Sequence, residues 1–261
     1  MNPTLAPDHA PADAPARALR REAARALLAV GLLLAAATAA LDAVFGLGAD
    51  HVLKALAAYS IGALLVWRGL AGGAHPHARF GAANRVTLLR LAGMALVAGL
   101  VGDGLPLAQG PAGWALIGFA TLIAVLDLLD GHLARREGLA SRFGARFDME
   151  TDAAFTLVLS ALVWQAGQAG PWVLASGLMR YAFVAAAALW PWLNGPLPPS
   201  KRRQTVCVVQ ITALIVCLGP IVPAPLATAI AALSLLLLTA SFAVDVRYLA
   251  RQHRASPETA P

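Results

Sequence analysis

Eight apolar segments make up most of the chain, and each is long enough, or nearly so, to cross about 30 Å of bilayer hydrocarbon. Hydrophobic residues make up 59% of the sequence and charged residues only 13%, whereas a soluble domain is about one-quarter charged. The sequence therefore predicts an all-α polytopic membrane protein and excludes an ordinary soluble domain. The segments run approximately over residues 23–45, 51–71, 86–102, 112–133, 147–167, 171–193, 205–220 and 224–246.

The loops between these segments are alternately basic and free of Lys and Arg. Basic residues precede the first segment, fill the loops after the second, fourth and sixth, and recur after the eighth. Positively charged loops stay on the cytoplasmic side of a membrane. We therefore expect both termini in the cytoplasm, with the protein in a bacterial plasma (inner) membrane. The net charge of +6 then indicates contact with anionic lipid headgroups and not with nucleic acid.

Four aspartates lie between the fourth and fifth segments, in the stretch DLLDGHLARREGLASRFGARFDMETD at 127–152. At 100° per residue, Asp127 and Asp130 share an arc of about 100° on one helix with Gly131 and Ala134. Asp148 and Asp152 share an arc of about 80° with Gly144 on the next helix. The short connection makes the two helices antiparallel neighbours, so the two acidic faces are expected to converge on one point at the inner edge of the membrane.

Four carboxylates in one place repel one another unless protons or cations neutralise them. Hard oxygen ligands without nearby His or Cys favour Mg²⁺, Mn²⁺ or Ca²⁺ over zinc. Two such ions about 4 Å apart suit phosphoryl transfer. Two alternatives remain open at this point: the aspartates cap helix ends and pair with loop arginines, or they line the path of an ion-coupled transporter, which would distribute its acidic residues along the membrane.

The stretch resembles the signature of the CDP-alcohol phosphatidyltransferase family, D-x2-D-G-x2-A-R-x8-G-x3-D-x3-D, at every fixed position and every spacer. The resemblance covers residues 73–246 and implies a catalytic six-helix membrane domain. Two additional transmembrane helices would then occupy 23–72, after a disordered cytoplasmic tail at 1–22 and before a second tail at 247–261. The signature residues are Asp127, Asp130, Gly131, Ala134, Arg135, Gly144, Asp148 and Asp152.

The resemblance also implies transfer of a phosphatidyl group from CDP-diacylglycerol to an alcohol, with release of CMP and with two Mg²⁺ or Mn²⁺ ions as cofactors. The four aspartates would bind the metals, and Asp152 would also act as the general base. Many relatives form dimers, which makes a homodimer an expectation here. The nucleotide is expected beside Gly131, Ala134, Arg135 and Gly144, and beside Asn84 and Thr87 of an N-x2-T-x2-R pattern that the family also carries.

Basic residues downstream are candidates for binding the phosphate of the acceptor or of the lipid. Arg180 lies well inside the sixth apolar segment, where an unpaired guanidinium is costly, so it either binds a ligand or forms an internal salt bridge. Lys201 and Arg203, in the stretch SKRRQT, either anchor the helix at the interface or bind phosphate. The basic surroundings favour glycerol 3-phosphate as acceptor, with serine, inositol phosphate and choline as alternatives.

Overall fold

A computed structural model describes residues 14–71, 75–103 and 110–255; for residues 14, 15 and 128–137 only the helical backbone is described. Within these ranges the chain forms eight α-helices, two short 3-10 turns and no strand, so the all-α prediction is confirmed. The turns are Pro171–Leu174 and Pro191–Asn194. The helices are α1 (Ala14–Phe45), α2 (Ala49–Ala71), α3 (Ala82–Ala98), α4 (Gly110–Glu137), α5 (Arg142–Gln165), α6 (Ala175–Leu189), α7 (Lys201–Cys217) and α8 (Ala224–Ala255).

Each predicted segment corresponds to a helix, but the first one begins earlier than expected. The disordered tail predicted for residues 1–22 is wrong over 14–22, which are helical; residues 1–13 lie outside the description. Alanine and arginine in this stretch are strong helix formers. The early turns also pack on the rest of the protein, since Leu19 and Ala23 are buried and Glu22 forms a 2.7 Å salt bridge with Arg85 of α3.

The ends of the last membrane segments also differ from the prediction. The sixth segment is a turn, a helix and a second turn, because Pro191 has no amide hydrogen and cannot continue α6. Helix α8 continues to Ala255, nine residues into the predicted C-terminal tail. Leu249 in this extension is 1% exposed and packs with Leu193 and Ala187 in a small second apolar cluster.

Five stretches are long and apolar enough to cross a membrane: 16–45, 49–71, 110–127, 171–189 and 224–255. The predicted polytopic membrane fold is confirmed by them. The other three helices do not meet this test: α3 and α7 have 17 residues each, and the first half of α5 carries arginines and acidic residues. In a membrane, polar residues are tolerated where protein encloses them, which fits the interior position of α3.

Helix α3 is the centre of the bundle, with ten of its 17 residues buried. The α1–α2 hairpin packs on one side of it, and its residues belong to the same large apolar cluster as those of α4, α5 and α7. Close approach depends on glycine, as is common between membrane helices. A Cβ on Gly62 would lie 2.7 Å from Leu91 of α3, and one on Gly93 would lie 3.0 Å from Ile123 of α4.

The closest helix approach among the described glycines is between α5 and α6, at Gly177. A Cβ at this position would lie 2.3 Å from the Cα of Leu157, so backbone would have to move. We expect Gly177→Ala to destabilise the protein by about 1–3 kcal/mol, the usual cost of overpacking. Thermal unfolding in detergent measures this effect. Gly118→Ala, on an exposed face of α4 with nothing within 4 Å of the new Cβ, is the control, and equal melting temperatures for the two variants would contradict the prediction.

Candidate active site

Three aspartates from two helices converge at the end of the bundle where α4 ends and α5 begins. The helices are joined by a tight turn in which Gly138 has a φ of 64°, a conformation that suits glycine. One carboxylate oxygen from each of Asp127, Asp148 and Asp152 lies within 4.8 Å of the other two. The predicted convergence is confirmed for these three residues, which we call the aspartate cluster.

Arg90 of α3 holds the aspartate cluster together. Its Nη1 donates to Oδ1 of Asp148 at 2.5 Å, and its Nη2 lies 2.8 Å from Oδ1 of Asp127 and also pairs with Oδ1 of Asp152. The arginine side chain is 1% exposed, while the three aspartate side chains are 16–38% exposed. A buried cation therefore faces three carboxylates that are partly open to ligands.

The chemistry of the cluster suits a hard divalent cation. Two unit charges 4.8 Å apart repel by about 3 kcal/mol at the dielectric typical of partly buried sites. One guanidinium offsets only one of the three carboxylate charges. All the donors are oxygens, which Mg²⁺ and Mn²⁺ prefer. Asp127, Asp148 and Asp152 therefore fit as ligands for such an ion.

The predicted nucleotide residues Asn84, Thr87 and Gly144 lie beside the cluster on α3 and α5. Asn84 is 5% exposed, and its Oδ1 would lie 3.0 Å from a Cβ on Gly144. The two residues are thus in contact, and the absence of a side chain at Gly144 makes this close approach possible. Thr87 is 3% exposed and donates to the carbonyl of Ala83 at 3.1 Å. Asn84 and Gly144 therefore lie at the contact of α3 with α5, and the nucleotide-binding role of all three residues stays a prediction.

The other signature residues lie on the last turns of α4, where side chains are outside the description. The helix continues through them to Glu137, so they follow Asp127 on the same element. Their roles as metal and nucleotide ligands stay predictions. These residues are Asp130, Gly131, Ala134 and Arg135.

Arg180 does not join the aspartate cluster. Its Nε donates to Glu150 Oε2 at 3.2 Å and its Nη2 to Oε1 at 2.5 Å. On α5, Glu150 points about 160° away from both Asp148 and Asp152. Helix α6 therefore packs on the far side of α5. Of the two alternatives left open by the sequence, the internal salt bridge is the one observed.

The basic stretch at the start of α7 is mostly engaged with α8. Arg202 pairs with Asp245 at 2.5 Å and donates to Ser241 Oγ at 2.6 Å. Arg203, a predicted phosphate ligand, pairs with the same aspartate at 3.2 Å. Lys201 is exposed. Asp245 is only 8% exposed, so these arginines anchor one helix to the other.

An apolar cavity of about 420 Å³ opens beside the cluster and runs between α4 and α7. Arg90 and Asp127 line one end, and Trp114 and Ile221 line the other. Asp127 lies 13 positions after Trp114 on α4, so the two residues are about 20 Å apart along the helix axis. The apolar cavity is therefore continuous with the charged site.

Sequence reasoning did not predict that Arg90 pairs with the aspartates, nor that Glu150 and Asp245 are the partners of the basic candidates. Arg90 is the last residue of the N-x2-T-x2-R pattern, which does not indicate this contact. The signal that singled out Arg180, a charge within an apolar stretch, applies equally to Arg90 in LLRLAGMALV and to Asp245 in SFAVDV.

The helical membrane bundle and the aspartate cluster on α4 and α5 are the features by which the class of this protein can be recognised. The family model for CDP-alcohol phosphatidyltransferases matches residues 80–244, which cover α3 to most of α8. The chain belongs to this family, as its signature predicted, and is a membrane transferase of phospholipid biosynthesis. Helices α1 and α2 lie outside the match.

Two curated relatives are similar to this chain. Proteins of two Mycobacterium tuberculosis strains, each named probable phosphatidylglycerophosphate synthase, are 34% identical to it over 177 residues. The matched region covers 66% of this chain and 81% of the relative. No solved structure matches the chain.

The Glu150–Arg180 pair is expected to support stability. Breaking a buried ion pair costs about 3–5 kcal/mol; with these side chains 33% and 23% exposed, Glu150→Gln should cost about 2 kcal/mol. The double variant Glu150→Gln/Arg180→Gln should recover most of that loss, because no unpaired charge stays behind. Thermal unfolding of both variants and of Arg180→Gln gives the coupling energy. Additive losses would contradict the pairing.

Proposed function

We propose that this protein transfers the phosphatidyl group of CDP-diacylglycerol to glycerol 3-phosphate and releases CMP, with two Mg²⁺ or Mn²⁺ ions bound by the signature aspartates. The observation that carries the proposal is the convergence of Asp127, Asp148 and Asp152 within 4.8 Å, in a chain of this family. When bound, the ions would neutralise charge on the diphosphate and make the attacking hydroxyl more acidic.

The chain's own residues supply the rest of the reaction. Asp152 would accept the proton of the acceptor hydroxyl as its oxygen bonds to the lipid-side phosphorus. The bond from that phosphorus to the bridging oxygen breaks, and CMP leaves with the electron pair. Asp152 suits this role, since at 16% its side chain is the least exposed of the three aspartates, and α5 holds it one turn from Asp148.

The apolar cavity supports a lipid as the donor substrate. Its entrance at Arg90 and Asp127 and its length of about 20 Å suit a headgroup at the cluster with an acyl chain between α4 and α7. Thr212 and Val216 of α7 line the wall. The tails of the substrate can therefore stay at membrane depth during the reaction.

The acceptor is proposed from the relatives, whose name specifies phosphatidylglycerophosphate synthesis. Lys201 is a candidate for its phosphate, since it is exposed at the same end of the bundle as the cluster. Arg180 and Arg203 are less suited, because acidic side chains already engage them. Serine, inositol phosphate and choline are the alternatives. A transporter is disfavoured, because the described carboxylates of the cluster lie at one depth and not along a path.

Activity should depend on the aspartates. We expect Asp148→Asn and Asp152→Asn each to lower CMP release from CDP-diacylglycerol and glycerol 3-phosphate by about 10³-fold or more, because each removes a ligand and the second also removes the base. Asp50→Asn, the same change on an exposed turn of α2, should leave the rate unchanged. A panel of the four acceptors identifies the alcohol, and a chain that releases no CMP with any of them is not this enzyme.

Filling the cavity should discriminate among acyl chains. Thr212→Trp should raise the KM for long-chain CDP-diacylglycerol about tenfold and affect a short-chain analogue much less, since only the longer tail extends as far as Thr212. Val209→Trp, on an exposed face of the same helix outside the cavity, is the matched control. Equal effects on both substrates would show that the tails lie elsewhere.

We also propose that both termini and the site face the cytoplasm of a bacterial cell, from the distribution of basic loops. A cysteine at Ala140, exposed in the α4–α5 connection, should then resist an impermeant maleimide in spheroplasts and react after lysis. A cysteine at Ala49, exposed at the start of α2, should react in both. The reverse pattern would invert the topology.

A further inference from the structure

Arg90 forms its ion pairs with the same three carboxylates that would hold a divalent ion. Its two terminal nitrogens contact Oδ1 of Asp127, Asp148 and Asp152, the three residues whose oxygens lie within 4.8 Å of one another. An ion bound by these carboxylates would neutralise their negative charge and would lie next to the positive guanidinium. Cation and arginine therefore compete for the same ligands.

The buried guanidinium of Arg90 cannot move far from the aspartate cluster when an ion binds there. Its side chain is 1% exposed, and the hairpin holds α3 in the bundle, since Leu91 packs on Gly62. Arginine also stays charged at any physiological pH. Its positive charge must therefore remain near the ions, where it opposes their binding.

A substrate diphosphate would change the effect of Arg90 on metal binding from unfavourable to favourable. Arg90 and Asp127 both line the end of the apolar cavity nearest the cluster, which is where the diphosphate of a lipid with its tails in the cavity would lie. Arginine pairs readily with phosphate oxygens through two nitrogens. A bound diphosphate would thus give the displaced guanidinium a new partner, while its other oxygens meet the metal.

We propose that Arg90 couples metal binding to substrate binding: it weakens the binding of divalent ions to the aspartate cluster alone and lets CDP-diacylglycerol and the ions bind cooperatively. This inference rests on the metal site of the proposed function. By linkage, the factor by which the lipid strengthens metal binding equals the factor by which the metal strengthens lipid binding. The ions are then retained mainly when substrate is present.

The test measures Mn²⁺ binding by EPR of the free ion, with protein in phosphatidylcholine nanodiscs that contain or lack CDP-diacylglycerol. Protein-free nanodiscs correct for ions bound by the lipid itself. The wild-type protein should bind Mn²⁺ about tenfold more tightly with the lipid than without it. Arg90→Gln should bind Mn²⁺ about tenfold more tightly than wild type without the lipid, and should gain little when it is added.

Arg85→Gln is the matched control, because Arg85 lies on the same helix and pairs with Glu22 instead of the cluster; it should behave like wild type. Mn²⁺ binding by Arg90→Gln that is unchanged or weaker, or wild-type binding that ignores the lipid, overturns the inference. Wild-type binding that ignores the lipid has this force even if Arg90→Gln does not fold. Wild-type binding that Asp148→Asn fails to abolish would instead overturn the metal site, and with it the proposed mechanism.

Discussion

The contact of one buried guanidinium with three carboxylates is the interaction on which the site depends. Without Arg90, the aspartates of α4 and α5 would be drawn together by a tight turn and driven apart by their charges. With it, the two helices and α3 share one electrostatic centre. One positive charge does not balance three negative ones, and the proposed metal ions would offset the remaining negative charge.

The remaining structure serves to keep this centre at membrane depth. Helix α3 carries Arg90 in the middle of the bundle, and the hairpin of α1 and α2 encloses α3 on the side away from α4. At the opposite end, Lys54 of α2 pairs with Asp103 beyond α3, so the hairpin is fixed at both ends. These helices lie outside the family match yet pack in the same core as the site.

Sequence alone predicted the helix count, the fold class and the convergence of three aspartates, because hydropathy and spacing along a helix are local properties. It could not predict which acid partners which base. Arg180 pairs with Glu150 because α6 packs on the Glu150 face of α5. Arg203 pairs with Asp245, which lies 42 residues further along the chain. Such ion pairs depend on how the helices pack against one another, and the sequence of a single helix does not predict that packing.

In the proposed mechanism, an alcohol oxygen attacks the lipid-side phosphorus at the aspartate cluster. Isotope tracing tests this directly: glycerol 3-phosphate labelled with ¹⁸O in the C1 hydroxyl is incubated with CDP-diacylglycerol, Mg²⁺ and the purified protein in nanodiscs, and the products are weighed by mass spectrometry. Label found in phosphatidylglycerophosphate, with unlabelled CMP, is the predicted result. Phosphatidic acid and CMP without a labelled lipid would contradict the account, since water and not the alcohol would then be the nucleophile.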